Sequence, residues 1–287
     1  MAVSAYLTAR QEVSILRSIR HDHIVPLLGL SARQPLALVL SLAPKGSLRN
    51  ELDLRKKNKQ RLSVFIIKQI VIQVADALSY LHSEKIIYRD LKSDNVLIWD
   101  MPSADTIDDI MEPVTVKVAD YGISRSVLST TTGTKGFGGT PPFIAPEILQ
   151  HCGNNTYTEK VDIFSFGMFL YELITCKQPL EEITNPSLYI CQQGRPHITP
   201  REKQYPSHFL DLMCICWSHD PESRPTAKQI CQIATSHQFC HLADAVSLNS
   251  SVGILNGCSV IISDRNGDDE DIDESTTPLS TEIWLST

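Results

Sequence analysis

The sequence lacks several features that would assign it to a membrane, secreted or zinc-binding class. Its most apolar stretches, 64–75 and 164–174, each include a charged residue and fall short of the ~18 apolar residues that a membrane span requires. Eight cysteines occur without a CxxC pair, so neither a disulfide framework nor a structural zinc site is indicated. The N-terminus lacks the basic-then-apolar pattern of a signal peptide. We therefore expect a reduced, cytoplasmic protein without a transmembrane segment.

Basic residues are outnumbered by acidic residues, and the net charge is distributed unevenly along the chain. The 287 residues carry a net charge of −7, and residues 241–287 hold nine acidic residues and one arginine, a net −8. The rest of the chain is therefore nearly neutral, at +1. A neutral body with an acidic tail lacks the basic face of a nucleic-acid binder, so we expect no nucleic-acid partner. The hydrophobic content of 42% is that of a globular protein.

Hydrophobic periodicity predicts a few strands followed mostly by helices. Apolar residues at helical spacing predict helices over 5–20 and 62–83, and helical patterns dominate from Glu159 to about Ala245. Ser47, which follows a Pro-Lys-Gly turn, is the expected N-cap of a short helix. The predicted strands are 24–30, 36–42, 95–99 and 114–118. This order favours an α+β fold with a large helical part.

Three segments depart from this pattern. Residues 100–113 form an acidic, loop-like insert, and residues 124–141 are rich in Ser, Thr and Gly, so we expect the second segment to be mobile. We place a domain boundary after residue 246, where an acidic tail (247–287) begins with strand-like alternation at 253–264. Because one or two strands are not stable alone, the tail resembles the first piece of a β-rich domain.

Three motifs in the middle of the chain carry the functional signal. They are Tyr88–Asn95 (YRDLKSDN), Asp120–Gly122 (DYG) and Ala145–Glu147 (APE), the last preceded by Gly-Thr-Pro at Gly139–Pro141. Each motif alone is weak, because an isolated acidic residue is usually a surface carboxylate or a turn cap. Their order, their spacing and their strand–loop–strand context together resemble the signature set of the protein kinases.

The resemblance extends over about residues 5–240, because later positions agree with it. It implies that Asp162 caps the backbone of the catalytic loop and that Glu147 and Arg224 form a buried ion pair. The implied fold is the protein-kinase fold, α+β, with a complete helical large lobe and a truncated small lobe. The domain boundaries become 1–246 for the kinase domain and 247–287 for the tail.

The resemblance implies a chemical role for four polar residues. Asp90 would take the proton of the substrate hydroxyl, and Lys92 would place a positive charge on the transferring phosphate. Asn95 and Asp120 would hold Mg²⁺, a hard cation that prefers oxygen ligands. A lysine two residues after the catalytic aspartate is typical of serine/threonine kinases. The implied reaction transfers the γ-phosphate of ATP to Ser or Thr of protein substrates, with ATP and Mg²⁺ as cofactors.

The nucleotide-binding residues are also implied by the resemblance. The hinge would bond adenine through main-chain groups, and it comprises Leu40, Ser41, Leu42 and Ala43. Ser41 stands where a glutamate is common, which matters little for main-chain contacts. Leu97 would contact the nucleotide from the large lobe. Glu12 resembles the helix glutamate that pairs with a strand lysine in kinases.

Four residues resemble regulatory positions of the family. Thr140 resembles the threonine that bonds Asp90 in serine/threonine kinases, with a plain loop hydroxyl as the alternative. Arg89 and Arg125 would receive a phosphate on the activation loop, unless they are ordinary solvated arginines. Tyr121 replaces the usual Phe, and we expect its hydroxyl to act as a conformational brake. A hydroxyl that finds equivalent partners in both states is the alternative.

Within the kinases, the sequence resembles the leucine-rich repeat kinases of the Roco family. The features that carry this likeness are the Asp-Tyr-Gly-Ile-Ser run, the Ala-Pro-Lys-Gly-Ser-Leu hinge and Asp-Leu-Lys-Ser-Asp-Asn. Proteins of this family are long, with a GTPase-like module before the kinase and a WD40 propeller after it. The tail is compatible with the start of such a propeller, and a dimer of the full-length parent is left open.

The sequence departs from the family at its beginning. No lysine precedes Lys45 and no GxGxxG occurs upstream, so the expected partner of Glu12 is missing from this polypeptide. We expect a fragment that has little activity in isolation. The rival hypothesis is a pseudokinase-like regulatory or scaffold fragment without catalysis. A small-molecule phosphotransferase is a third hypothesis, which the Ala-Pro-Glu loop disfavours.

Overall fold

The computed structural model describes residues 12–31, 37–102, 113–126 and 138–236. The first elements are α1 (residues 12–18), β1 (Leu27–Ser31), β2 (Ala37–Leu40), α2 (Leu48–Lys57), α3 (Val64–Ser83) and β3 (Ile86–Ile87). They are followed by β4 (Val96–Asp100), β5 (Thr115–Val118), β6 (Arg125–Ser126), α4 (Pro146–Gln150), α5 (Lys160–Thr175), α6 (Pro186–Cys191), α7 (Ser207–Cys216) and α8 (Ala227–Thr235). Short 3-10 turns occur at Ser93–Asn95, Glu202–Gln204 and Pro221–Ser223.

The described strands pair in three antiparallel ladders of two strands each. β1 pairs with β2, β3 with β6, and β4 with β5. A parallel bridge between Ile24 and Val118 joins the segment before β1 to the end of β5. The α+β fold class is confirmed, with helices making up most of the region after β6.

Helix α3 forms the centre of the large lobe. The hydroxyl of Ser63 accepts a hydrogen bond from the Ile66 N–H (3.3 Å) and caps the helix, as Ser/Thr N-caps commonly do. By length and composition α3 could cross a membrane, but more than half of its apolar window is buried inside the protein. It packs against α8 and β5, which makes it the core helix of the lobe.

Helix α5 is buried along almost its whole length and supports the catalytic machinery. Its packing against α7 needs Gly167, because a Cβ there would lie 2.8 Å from the backbone nitrogen of Trp217. Such an approach is shorter than non-bonded contacts allow, so a side chain at this position would push the two helices apart. Asp162 lies in the first turn of α5 and Glu172 in its last turns, and both are fully buried.

Most of the predicted elements are present, but several boundaries were wrong. The first strand begins at Leu27 rather than 24, because Ile24 and Val25 pair with Val118 of β5 and Pro26 has no N–H to donate to β2. The strand predicted from 95 begins at Val96, because Asn95 belongs to a 3-10 turn. Ser47 caps α2 as predicted. Most of the acidic insert, most of the Ser/Thr-rich segment and the whole tail after residue 236 lie outside the described residues.

Candidate active site

Asp90 is the centre of a polar cluster contributed by two distant segments. Its Oδ1 accepts a hydrogen bond from the hydroxyl of Thr140 (2.8 Å). Its Oδ2 accepts from the ammonium of Lys92 (3.0 Å) and from the side-chain amide of Asn95 (2.9 Å). The Lys92 ammonium also donates to the Thr140 hydroxyl (2.6 Å). Three residues predicted as catalytic or regulatory thus bind the carboxylate of a fourth, Asp90.

The backbone just before Asp90 is held by hydrogen bonds to Asp162 of α5. Its Oδ1 accepts from the Arg89 N–H (2.6 Å), and its Oδ2 accepts from the Tyr88 N–H (2.8 Å). The ring of His82 lies 2.8 Å from the same Oδ2. Arg89 adopts the left-handed region, at φ 76°, which costs free energy for a residue with a side chain. The two bonds to Asp162 hold this strained conformation, as predicted for a backbone cap.

Asp120 and Asn95 lie next to each other at the ends of two paired strands. The Ala119 N–H donates to the Asn95 carbonyl (2.8 Å), which brings residue 120 beside the catalytic loop. Asp120 is exposed, has φ 55°, and accepts a hydrogen bond from the Gly122 N–H (3.2 Å). The described residues contain no cluster of three or more His, Cys, Asp or Glu that could hold a metal by themselves.

Glu12 of α1 reaches the same region. Its carboxylate accepts a hydrogen bond from the Tyr121 N–H. Burial raises the pKa of Glu12, the neighbouring Asp120 carboxylate raises it further, and the Tyr121 bond opposes both effects. The Asp120 and Glu12 carboxylates repel each other, so a positive charge close to both would be stabilised.

Tyr121, which replaces the usual Phe, packs against Tyr88 of the catalytic motif. The rings of Tyr88 and Tyr121 are 5.4 Å apart, and both side chains are fully buried. The Tyr88 hydroxyl donates to the Ala119 carbonyl, and the Tyr121 hydroxyl donates to the Val118 carbonyl (3.3 Å). Burial raises the pKa of both phenols well above the usual value, so both remain neutral donors.

The predicted hinge leaves β2 and continues toward α2. Leu40 ends β2, Leu42 is 89% exposed and Ala43 is buried. The Ser41 N–H donates to the Pro26 carbonyl at 3.4 Å. Leu97 lies on β4 between two buried neighbours and is itself only half-buried, so it points to the other face of the strand. Apolar surface is thus present on both the hinge side and the large-lobe side.

Arg89 is buried and engaged with protein groups. Its guanidinium donates to the Ile123 carbonyl (3.1 Å) and lies 5.8 Å from the centre of the Tyr157 ring. A Cβ at Gly138 would come within 2.4 Å of this guanidinium, so any larger residue there would displace the Arg89 side chain from its present position. The side chain of Arg125 and residues 127–137 lie outside the described residues. The predicted phosphate contact of Arg89 and Arg125 therefore stays a prediction.

Two further interactions complete the site's support. Glu147 and Arg224 form the expected two-pronged ion pair, with N–O distances of 2.6 and 2.9 Å and a fully buried arginine. Sequence reasoning missed a second network, in which Glu172 contacts Arg49 and Ser93. The available signal was a glutamate inside the apolar run 164–174, since a charge in such a run needs a buried partner.

The fold and the motifs together define a class of protein. Residues 3–235 match the protein kinase domain, and the chain belongs to this family. Among its curated relatives is a leucine-rich repeat serine/threonine-protein kinase 1 of Caenorhabditis elegans, 43% identical over 99% of this chain and 11% of the relative. The Mus musculus protein of the same name is 37% identical over 80% of this chain and 11% of the relative.

More distant relatives carry the same kind of name. A probable serine/threonine-protein kinase of Dictyostelium discoideum is 36% identical over 77% of this chain and 19% of the relative. The chain thus spans about a tenth to a fifth of the length of these three curated relatives. The expected resemblance to the leucine-rich repeat serine/threonine kinases is confirmed.

Proposed function

We propose that the chain contributes the catalytic lobe of an ATP-dependent protein kinase that phosphorylates Ser and Thr. The observation that carries this proposal is the cluster of Thr140, Lys92 and Asn95 around the Asp90 carboxylate. A structural carboxylate would need partners, but it would not need a second, exposed acid, Asp120, held near the same loop by the bond between Ala119 and Asn95. Phosphoryl transfer needs this kind of positioned charge more than it needs covalent chemistry.

Each residue of the proposed site has a separate role in the reaction. Asp90 orients the substrate hydroxyl and takes its proton as the oxygen forms a bond to the γ-phosphorus. The bond from that phosphorus to the β–γ bridging oxygen breaks, and ADP leaves with the electron pair. Lys92 neutralises charge on the transferring group, while Thr140 keeps both Lys92 and Asp90 in place. Asp162 holds the loop that carries them.

The donor set beside Asp90 fits Mg²⁺, although three protein ligands do not converge there. The amide nitrogen of Asn95 is engaged by Asp90, which leaves its amide oxygen as the group for a cation. The exposed carboxylate of Asp120 supplies a second oxygen. Mg²⁺ usually takes one or two carboxylates together with waters and substrate phosphates, so a sparse protein set is expected. The ion would neutralise charge on the phosphates.

The adenine would lie between the hinge and β4. Main-chain groups of the hinge, Leu40–Ala43, would bond its edge, and Leu97 would cover one face. Both surfaces are apolar and at least partly exposed, which suits a flat aromatic ligand. Glu12 would help to orient the phosphates through a lysine, and residues 1–44 of this chain contain none.

A second candidate is a pseudokinase-like regulatory or scaffold protein without catalysis, since no lysine among residues 1–44 could pair with Glu12. Under this hypothesis the helical lobe binds a partner and the Asp90 cluster is a remnant. The two candidates differ in whether phosphate is transferred at all. We also propose a cytoplasmic, dimeric parent of the Roco type, in which residues 247–287 begin a WD40-like propeller.

Product analysis tests the proposal. An extended form of the protein, in which a glycine-rich loop and a strand lysine are joined upstream of residue 1, is incubated with Mg·ATP and mixed Ser-, Thr- and Tyr-containing peptides. We expect phosphoserine and phosphothreonine, and none with Asp90→Asn. Binding of Mg·ATP without transfer supports the scaffold hypothesis, and phosphotyrosine as the main product contradicts the assignment to Ser and Thr.

A further inference from the structure

A second carboxylate of α5, Glu172, binds the catalytic loop (Tyr88–Asn95) on the C-terminal side of Asp90. Its Oε2 accepts a hydrogen bond from the Ser93 N–H (2.9 Å), and its Oε1 accepts from the Ser93 hydroxyl (2.8 Å). Oε1 also accepts from the guanidinium of Arg49, in the first turn of α2 (3.1 Å). The Glu172 side chain is fully buried, and Arg49 is 6% exposed.

This arrangement is costly, which argues against a purely stabilising role. Removing both charges from water costs more than a buried ion pair usually returns, and apolar replacements of such pairs are often neutral or stabilising. The Nε of Arg49 is also buried, with no hydrogen-bond partner among the described residues. Burial raises the pKa of Glu172 to about 7, even though Ser93 and Arg49 act to lower it.

The position of the contact shows what the arrangement achieves. Asp162 and Glu172 are ten residues apart on α5, about 15 Å along the helix axis. Asp162 holds the backbone just before Asp90, and Glu172 holds Ser93, the first residue of the 3-10 turn that carries Asn95. The two carboxylates of one rigid helix therefore bracket the catalytic residues on both sides.

We propose that Glu172 is a positioning residue for phosphoryl transfer. Held by Arg49, it fixes the backbone at Ser93 and thereby the placement of Lys92 and Asn95 around Asp90. The inference rests on the proposed kinase function, and it adds a residue that the motifs do not identify. Arg49 follows the hinge by six residues, so the same contact also ties the start of α2 to the catalytic loop.

Three charged groups face the Glu172 carboxylate from the elements packed around it. Arg49 pairs with it directly, Asp53 pairs with the other side of Arg49, and Asp94 adds a repulsive charge from the loop. Within the described residues, each group that hydrogen-bonds to Glu172 donates to it. A protonated carboxyl would place its O–H against the Ser93 or Arg49 N–H, or would turn the Ser93 hydroxyl into an acceptor. The ionised carboxylate is therefore the form that accepts both bonds from Ser93.

The test compares Glu172→Gln with a matched control, Glu202→Gln. Glu202 is also a buried carboxylate bonded to an arginine, Arg61, but it contacts Thr199 rather than the catalytic loop. In the extended form, we expect Glu172→Gln to lower kcat ~10–100-fold, the range for misplaced catalytic groups, with KM for ATP nearly unchanged. Glu202→Gln should keep kcat within about twofold of wild type.

Two further readouts separate positioning from a loss of stability. The wild-type pH–rate profile should fall as the pH drops through the region of the Glu172 pKa, and Glu172→Gln should lose that limb while Glu202→Gln keeps it. In the 1–287 chain, hydrogen exchange at the Ser93 amide should accelerate in Glu172→Gln more than in Glu202→Gln. If Glu172→Gln does not fold, Ser93→Ala, which removes only the hydroxyl contact, should still lower kcat at unchanged KM.

The outcomes distinguish this inference from the proposed function. A wild-type extended form without transfer activity contradicts the kinase function, whereas the exchange measurement still reports on the anchor. Equal kcat in Glu172→Gln and Glu202→Gln, or unchanged exchange at Ser93, overturns the positioning role.

Discussion

The hydroxyl of Thr140 donates a 2.8 Å hydrogen bond to Asp90, fifty residues earlier in the chain. This bond joins the end of the activation segment to the catalytic loop. The close approach depends on Gly139, which has φ 117° and lies so near Arg89 that a Cβ would be 3.1 Å from its carbonyl oxygen. The placement of Gly139 and Thr140 and the orientation of the Asp90 carboxylate are therefore coupled.

Thr140→Val keeps the shape of the side chain and removes its hydrogen bonds to Asp90 and Lys92. We expect kcat of the extended form to fall ~10–100-fold, because both catalytic groups lose the bond that orients them. Thr140→Ser retains the hydroxyl and should recover most of the loss. Steady-state kinetics on a Thr peptide provide the measurement, and equal rates for the Val and Ser variants would contradict the coupling.

Asp90 and Asp120 should have separable effects on nucleotide binding. Asp90→Ala removes the group that faces the substrate hydroxyl, so Mg·ATP affinity should be nearly unchanged. Asp120→Ala removes an oxygen ligand of the ion and should weaken Mg·ATP binding clearly. Calorimetric titration of both variants in the extended form measures the difference. The assignment of roles fails if Asp90→Ala loses nucleotide affinity as severely as Asp120→Ala does.

Tyr121→Phe should raise turnover at saturating ATP. The Tyr121 hydroxyl is buried and bonded to the Val118 carbonyl in this arrangement, while its N–H holds Glu12. Under the brake hypothesis this bond stabilises the inactive state. Its loss is worth ~1 kcal/mol, enough to shift the equilibrium between the inactive and active states about fivefold toward the active state. Unchanged turnover would mean that the hydroxyl finds equal partners in both states. A large drop would show that the active state needs it, contrary to the brake.

Phosphorylation of the activation segment should be required for full activity. The segment carries hydroxyls at Ser126, Ser129, Thr130, Thr131, Thr132 and Thr134. A phosphate of about −2 charge could order this segment through Arg89 and Arg125. Replacement of every Ser and Thr from 126 to 134 by Ala in the extended form should abolish activation, measured as turnover after preincubation with ATP. Full activity of that variant would exclude the mechanism.

The parts of this fold that depend on local pattern could be predicted from the sequence. The apolar periodicity of 62–83 and the cap at Ser63 specify α3 without reference to the rest of the chain. The resemblance to the protein kinases likewise implied that Asp90, Lys92, Asn95 and Thr140 belong to one site, although it gave no distances.

Contacts between distant positions outside the family motifs could not be predicted. Arg49 and Glu172 are 123 residues apart, and neither belongs to a recognised motif. Their pairing depends on how α2 and α5 pack around the catalytic loop, which periodicity does not encode. The predicted start of the first strand at residue 24 was wrong for a related reason, since the ladder that begins at Leu27 depends on which backbone groups face a partner strand.

The most direct test of the account is a single-turnover measurement of phosphate transfer from γ-labelled ATP to a Ser/Thr peptide by the extended form. The 1–287 chain serves as a comparison, and we expect it to transfer little or no phosphate. The account predicts transfer at ~1 s⁻¹ or faster in the extended form and a loss of several orders of magnitude in Asp90→Asn. Transfer at the same rate in Asp90→Asn, or none in the wild type despite bound Mg·ATP, would contradict it.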